Sequence, residues 1–135
     1  METRIDTSHA PRWTVDAFRS FWANPDPARI PGVRHVIAHD IVGHWPRSIG
    51  QVHGAEAYVK VIAAVVRCDP RIRLEVAKAA SSDDSTFVHW VGTVGLGGSA
   101  RRFHGCDHLR MKNGLVVENY VFCEDPWFER VAGAL

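Results

Sequence analysis

Apolar positions recur at helical spacing in the first half of the chain and alternate in the second. Val15, Phe18, Phe21 and Trp22 fall three and four apart, forming one stripe of a helix that Thr14 is placed to cap. The run Asn24-Pro25-Asp26-Pro27 ends it, since proline removes a backbone donor and clashes with the preceding turn. A short helical turn is expected around residues 28–30, before Pro31-Gly32. Residues 36–45 read as a first strand ended by Pro46. Residues 54–68 form the clearest helix, with Ala57, Val61, Ala64 and Val65 on its inner stripe and Asp69-Pro70 stopping it.

After Pro70 the period shifts to two. Strands are expected over 72–79, 86–96, 100–112 and 115–123. They are punctuated by a polar turn at 81–85, by Gly97-Gly98-Ser99 and by Asn113-Gly114, the strongest hairpin signal in the chain. Asp125-Pro126 opens a short terminal helix. Residues 1–12 read as a flexible polar arm and residues 13–135 as a single domain. Helices first and a meander last predict an α+β fold, with helices on one face of a curved antiparallel sheet.

One carboxylate breaks the pattern. In the strand over 100–112, one face reads Phe103, Gly105, Asp107, Leu109 and Met111, an apolar row interrupted by an acid. A two-residue Asn113-Gly114 loop pairs Asp107 with Tyr120 and Gly105 with Phe122, whereas a loop of odd length brings Asn119 to Asp107. Across the other hairpin, a two-residue loop puts Trp90 on the same inner face, with Val88, Gly92 and Val94; a three-residue loop puts His89 there. Asp107 is then either a structural acid satisfied by a neighbour or a desolvated acid–base group. The aromatics Phe18, Trp22, Trp45, Trp90, Phe103 and Phe122 are expected on inward faces around it, as core or as the wall of an apolar pocket.

Composition narrows the function. Sixteen basic against fifteen acidic residues leave a formal charge of +1, with no basic block to favour nucleic acid or a membrane surface. The most apolar helical stretch, 55–66, is too short to span a bilayer. The polar start lacks the apolar core of a secretory signal, and Cys68, Cys106 and Cys123 show no metal-ligand spacing. Reduced thiols in a cytoplasmic protein, without metal or cofactor, are the expectation.

The element order, "AHDIVGHWP" before a glycine-led helix, "DHLRMKNGLVVE" and the ending "VFCEDPWFERVAGAL" resemble the SnoaL-like and ketosteroid isomerase-like branch of the nuclear transport factor 2-like superfamily. The resemblance covers roughly residues 13–135. It implies a cone, a strongly curved sheet wrapped around N-terminal helices with an apolar pocket, and a homodimer packed through the sheet face. It places Asp107, in "DHLR", where those isomerases carry a protonated acid that donates to the substrate oxyanion; the handling of such an acid in an apolar site is well established for that isomerase. Their general base corresponds to Trp45 here, with His44 beside it, and their helix tyrosine to Phe18. Steroid isomerisation is therefore not expected.

The expected function is cofactor-independent acid–base chemistry on a small hydrophobic carbonyl compound: isomerisation, cyclisation or dehydration. Asp107 would act as acid or base, Tyr120 as its partner and His44 as a second proton carrier. The rival is a non-catalytic ligand-binding or dimeric assembly module that kept the cone and lost the base.

Overall fold

The computed structural model describes residues 11–95 and 99–135. Helix α1 (Val15–Ala23) begins as expected: the Thr14 hydroxyl accepts from the Ala17 N–H at 3.0 Å, satisfying one of the free donors of the first turn. The turn after it is longer than expected, a 3₁₀ segment Pro27–His35 running through Pro31, with Asp26 accepting from the Ala28 N–H at 2.9 Å. The rest follows as β1 (Ile37–Trp45), β2 (Gly50–His53), α2 (Ala55–Cys68), β3 (Arg73–Ser82), β4 (Ser85–Val94), β5 (Arg101–Lys112), β6 (Leu115–Phe122) and α3 (Trp127–Gly133). The four-residue β2 has no alternating pattern long enough to announce it.

The strands form one curved, open sheet in the order β2-β1-β6-β5-β4-β3. Its inner face packs on the helices and carries the core. The expected antiparallel meander covers β3 to β6, and the curved sheet departs from antiparallel pairing where β1 lies parallel to β6. Without β1, the last strand would expose a row of unpaired backbone groups.

The Asn113-Gly114 turn has φ of 55° and 80°, the type I′ conformation of a two-residue hairpin loop. Lys112 faces Leu115 and Met111 faces Val116, as that loop demands. The next pair is Arg110 with Glu118, so Val117 is an extra residue, a β-bulge. Beyond it every β6 side chain changes face. Asp107 lies opposite Val121, Tyr120 lies opposite His108 on the outer face, and Asn119 turns inward. The Asp107–Tyr120 pairing is thereby corrected, and so is the inward placement of Phe122, which is 58% exposed. Val116 and Val121 are both buried although five positions apart. Strict alternation cannot turn both inward; one extra residue can.

The β4–β5 register puts Trp90 opposite Gly105, Gly92 opposite Phe103 and Val88 opposite Asp107, so Trp90 faces inward and His89 outward. Leu96 and the loop glycines Gly97 and Gly98 lie outside the described residues. The two mid-strand glycines are seats for rings. A Cβ on Gly105 would lie 2.2 Å from the Trp90 ring, and one on Gly92 would lie 2.8 Å from the Phe103 ring. Gly43, next to Asn119 across the β1–β6 pair, makes the same room for Trp45 and Tyr58.

Gly105→Ala is therefore expected to lower stability by about 1–3 kcal/mol, the usual cost of overpacking a core. Gly32→Ala, where a Cβ meets nothing within 4 Å, serves as the near-neutral control. Equal melting temperatures for the two variants would contradict this packing.

Candidate functional site

Between the inner sheet face and the helices lies a cavity of about 440 Å³. Its wall is mostly aromatic. Phe18 and Trp22 come from α1, Tyr58 from α2, Trp45 from β1, Trp90 from β4 and Phe103 from β5, with Trp13, Phe21, Trp127 and Phe128 completing it. Trp13 is held there by its N–H bond to the Gly114 carbonyl, which ties residues at the edge of the expected arm to the hairpin. The charged residues in the wall are Arg29 and Asp107. Arg29 reaches back to the Ser20 carbonyl and hydroxyl and sits over the Phe21 ring.

Asp107 is 7% exposed. The Trp90 indole N–H donates to its Oδ1 at 2.9 Å, and the Asn119 amide donates to its Oδ2 at 3.3 Å. Asn119, itself fully buried, accepts from the Tyr58 hydroxyl at 2.7 Å. Both carboxylate oxygens thus meet neutral donors, and among the described residues no basic side chain pairs with Asp107. Burial pushes the carboxyl up to about 6, against the opposing pull of the Trp90 and Asn119 hydrogen bonds. Burial, reinforced by the Asp107 charge, keeps the Tyr58 hydroxyl protonated far above its ordinary range.

A second buried acid, Asp69, has a different setting. It accepts backbone N–H groups of Arg71 and Gly95, each at 2.9 Å, and so ties the end of α2 to the end of β4. It lies outside the cavity wall.

The other expected acid–base residues face away. His44, on the outer side of β1, has Nε2 2.8 Å from Glu118 Oε2, and its ring stacks on Tyr120 at 4.0 Å. The Tyr120 hydroxyl donates to the same Glu118 oxygen at 2.8 Å, and Arg110 Nε reaches the other oxygen at 3.3 Å. The hydrogen bond from His44, then that from Tyr120, holds Glu118 below the ordinary carboxylate range. His44 and Tyr120 are thus partners of each other and of Glu118, not of Asp107. Of the expected pocket aromatics, Phe18, Trp22, Trp45, Trp90 and Phe103 meet at the cavity and Phe122 does not.

The sequence reading did not single out Tyr58, and it gave Asn119 only as the alternative to Tyr120 beside Asp107. Tyr58 precedes Val61 by three and Ile62 by four, so helical spacing alone marks it as inward. Asn119 needed the bulge. Among the described residues no cluster of histidine, cysteine or carboxylate side chains is arranged to hold a metal, and no helix is long and apolar enough to cross a membrane.

Because folding raises the Asp107 pKa from the unfolded ~3.9, its protonated form favours the fold. That contribution is complete below about pH 4 and is lost as pH rises through about 6. Asp107→Asn lacks this loss, so its stability relative to wild type is expected to improve from pH 4 to pH 7 by about 2–3 kcal/mol. Denaturant unfolding of both proteins across that range checks this; a pH-independent difference would mean an ordinary, solvated carboxylate.

The model of the SnoaL-like domain matches residues 15–119. Among curated proteins none matches the chain. Solved structures that share its fold include the following three. A protein from Jannaschia sp. CCS1, provisionally named a SnoaL-like polyketide cyclase, is 16% identical with a TM-score of 0.69, over 82% of each chain. TerC, co-crystallised with polyporic acid, is 16% identical with a TM-score of 0.69, over 88% of this chain and 95% of its own. A Catenulispora acidiphila protein with a ketosteroid isomerase-like fold, in complex with trimethylamine, is 15% identical with a TM-score of 0.68, over 80% of this chain and 82% of its own. The family match spans most of the chain, and the curved sheet with its helix-covered inner face is the architecture of these relatives: the protein belongs to the SnoaL-like domain family.

Proposed function

We propose that the protein binds a small, mostly aromatic or polycyclic carbonyl compound in its cavity and uses Asp107 as a cofactor-independent acid–base group on it, in an isomerisation, cyclisation or dehydration. The observation that carries this reading is the position of Asp107. It is a buried carboxyl in the wall of a 440 Å³ aromatic cavity, held by neutral donors and without a basic partner among the described residues. A carboxyl whose pKa lies near 6 exchanges protons readily at neutral pH, which is what a general acid–base group needs. Similar folds are associated by name with polyketide cyclisation, and one was co-crystallised with polyporic acid. Those associations support a small-molecule ligand here, and the aromatic wall of the cavity favours an aromatic one.

His44 leaves this reading as a cavity proton carrier, because its ring is engaged with Glu118 and Tyr120 on the outer face. One carboxyl is then asked to take a proton and return it. Trp45 supports the alternative, a binding module, since it fills the wall where the resemblance places the general base. Its indole N–H is buried, without a hydrogen-bond partner among the described residues, and as a donor only it cannot accept a proton.

Solvent exchange separates the two readings. Hydrophobic aromatic ketones would be screened for binding by quenching of tryptophan fluorescence, then incubated with the protein in D₂O. A catalyst exchanges the proton next to the bound carbonyl, and Asp107→Asn is expected to slow that exchange about 10²–10⁴-fold. Binding without exchange would establish the module instead. Failure of every aromatic carbonyl compound to bind would overturn both readings.

A further inference from the structure

The hydroxyl of Tyr58, the amide of Asn119 and the carboxyl of Asp107 form a chain with a direction. Trp90 offers Asp107 only a donor, since an indole nitrogen cannot accept. Asn119 differs, because either end of its amide can face the acid. With the nitrogen toward Asp107, it donates to a carboxylate; with the oxygen toward Asp107, it accepts from a carboxylic acid. Tyr58 reaches the other end of that amide at 2.7 Å, and Asn119 Oδ1 is the acceptor for its proton. Turning the amide over would take from the buried Tyr58 O–H the acceptor it has in Asn119, at the cost of that buried hydrogen bond.

We propose that Tyr58 is a positioning residue for Asp107: by donating to Asn119 Oδ1 it fixes the amide nitrogen toward the carboxyl, and so keeps Asp107 ionised and ready to accept a proton. The inference rests on the acid–base reading of the cavity and deepens it, by assigning Asp107 the starting role of base. The protonated, oxyanion-donating role implied by the family resemblance is the opposite one. A carbonyl oxygen seated against Tyr58 competes with Asn119 for the hydroxyl proton. The amide is then free to turn over and accept from Asp107 once that group is protonated.

The surroundings leave this chain as the polar control on Asp107. Tyr58 on α2, Cys106 beside Asp107 on β5 and Cys123 beyond β6 are the titratable groups that sense its charge. Burial pushes both thiols up, helped at Cys106 by the charge on Asp107 and at Cys123 by that on Asp125 and, less, on Asp107, so they remain neutral at pH 7. Trp90 on β4 and Asn119 on β6 are its hydrogen-bonding neighbours. His108, although adjacent in sequence, faces outward and bonds Ser85 at 3.1 Å.

The test is the Asp107 titration followed by carboxyl-carbon NMR in wild type, in Tyr58→Phe and in protein carrying 3-fluorotyrosine at position 58. The last is made in a Tyr120→Phe background, since Tyr58 and Tyr120 are the two tyrosines of the chain. Removing the hydroxyl frees the amide, so the midpoint is expected to rise by about half a unit in Tyr58→Phe, although Tyr58 bonds Asn119 and not Asp107 itself. Fluorination strengthens the donor and is expected to lower the midpoint by a few tenths, roughly. A purely structural tyrosine would not move it in opposite directions. An unchanged or lowered midpoint in folded Tyr58→Phe overturns the proposal. If that variant does not fold, an unchanged or raised midpoint with fluorotyrosine does so. A wild-type midpoint near the ordinary carboxylate value overturns the acid–base reading as well, whereas a raised wild-type midpoint without these responses removes only the role of Tyr58.

Discussion

The hydrogen bonds into Asp107 are the constraint around which the inner half of this molecule is arranged. Burying a carboxylate among aromatic rings is unfavourable unless its oxygens are met by donors. Trp90 and Asn119 meet one oxygen each. Each of those donors depends on a local departure from regular structure. The Trp90 ring reaches its place because Gly105, directly across the sheet, has no side chain. Asn119 faces inward because Val117 is extra, and Tyr58 can reach Asn119 because Gly43 leaves its ring room. Two glycine seats and a bulge therefore place the polar groups, while aromatic packing makes the surrounding space apolar.

The two faces of the sheet consequently carry two unrelated polar systems. The inner one is sparse, buried and built on neutral donors, which leaves its acid easily protonated. The outer one is richer: His44, Tyr120, Arg110 and Glu118 satisfy one another in partial contact with water, and Glu118 is held ionised. One bulged residue decides which of the neighbours Asn119 and Tyr120 belongs to each. On the cavity side the titratable carboxyl is thus that of Asp107, with Asn119 bonded to it and Tyr58 bonded to Asn119.

Much of this was legible in the chain. Alternation from Phe103 to Met111 exposed Asp107 as an acid on an apolar face, and the same period put Trp90 beside it. Helical spacing and the prolines bounded α1 and α2. The parallel contact between β1 and β6 was not legible, because pairing across the whole chain leaves no periodic mark. Tyr120 was misplaced for a definite reason: Asn113-Gly114 correctly sets the first two pairs, but the bulge then reverses parity. The only trace in the sequence is that Val116 and Val121, two apolar residues with equal claim to the core, stand an odd number of positions apart. Phe122 followed the same error outward. His44 reads correctly as opposite in face to Trp45, and the outward side proved to be its own.

The most direct single measurement of the account is the chemical shift of the Trp90 indole proton against pH, assigned among the five tryptophans by Trp90→Phe. An indole N–H that donates to a buried anion is displaced downfield and relaxes when that anion is protonated. One transition is expected, centred at about 6 and shared with Asp107. A signal that does not titrate, or that titrates near ~3.9 as an ordinary aspartate would, would contradict the desolvated Asp107–Trp90 pair on which both the cavity and its chemistry depend.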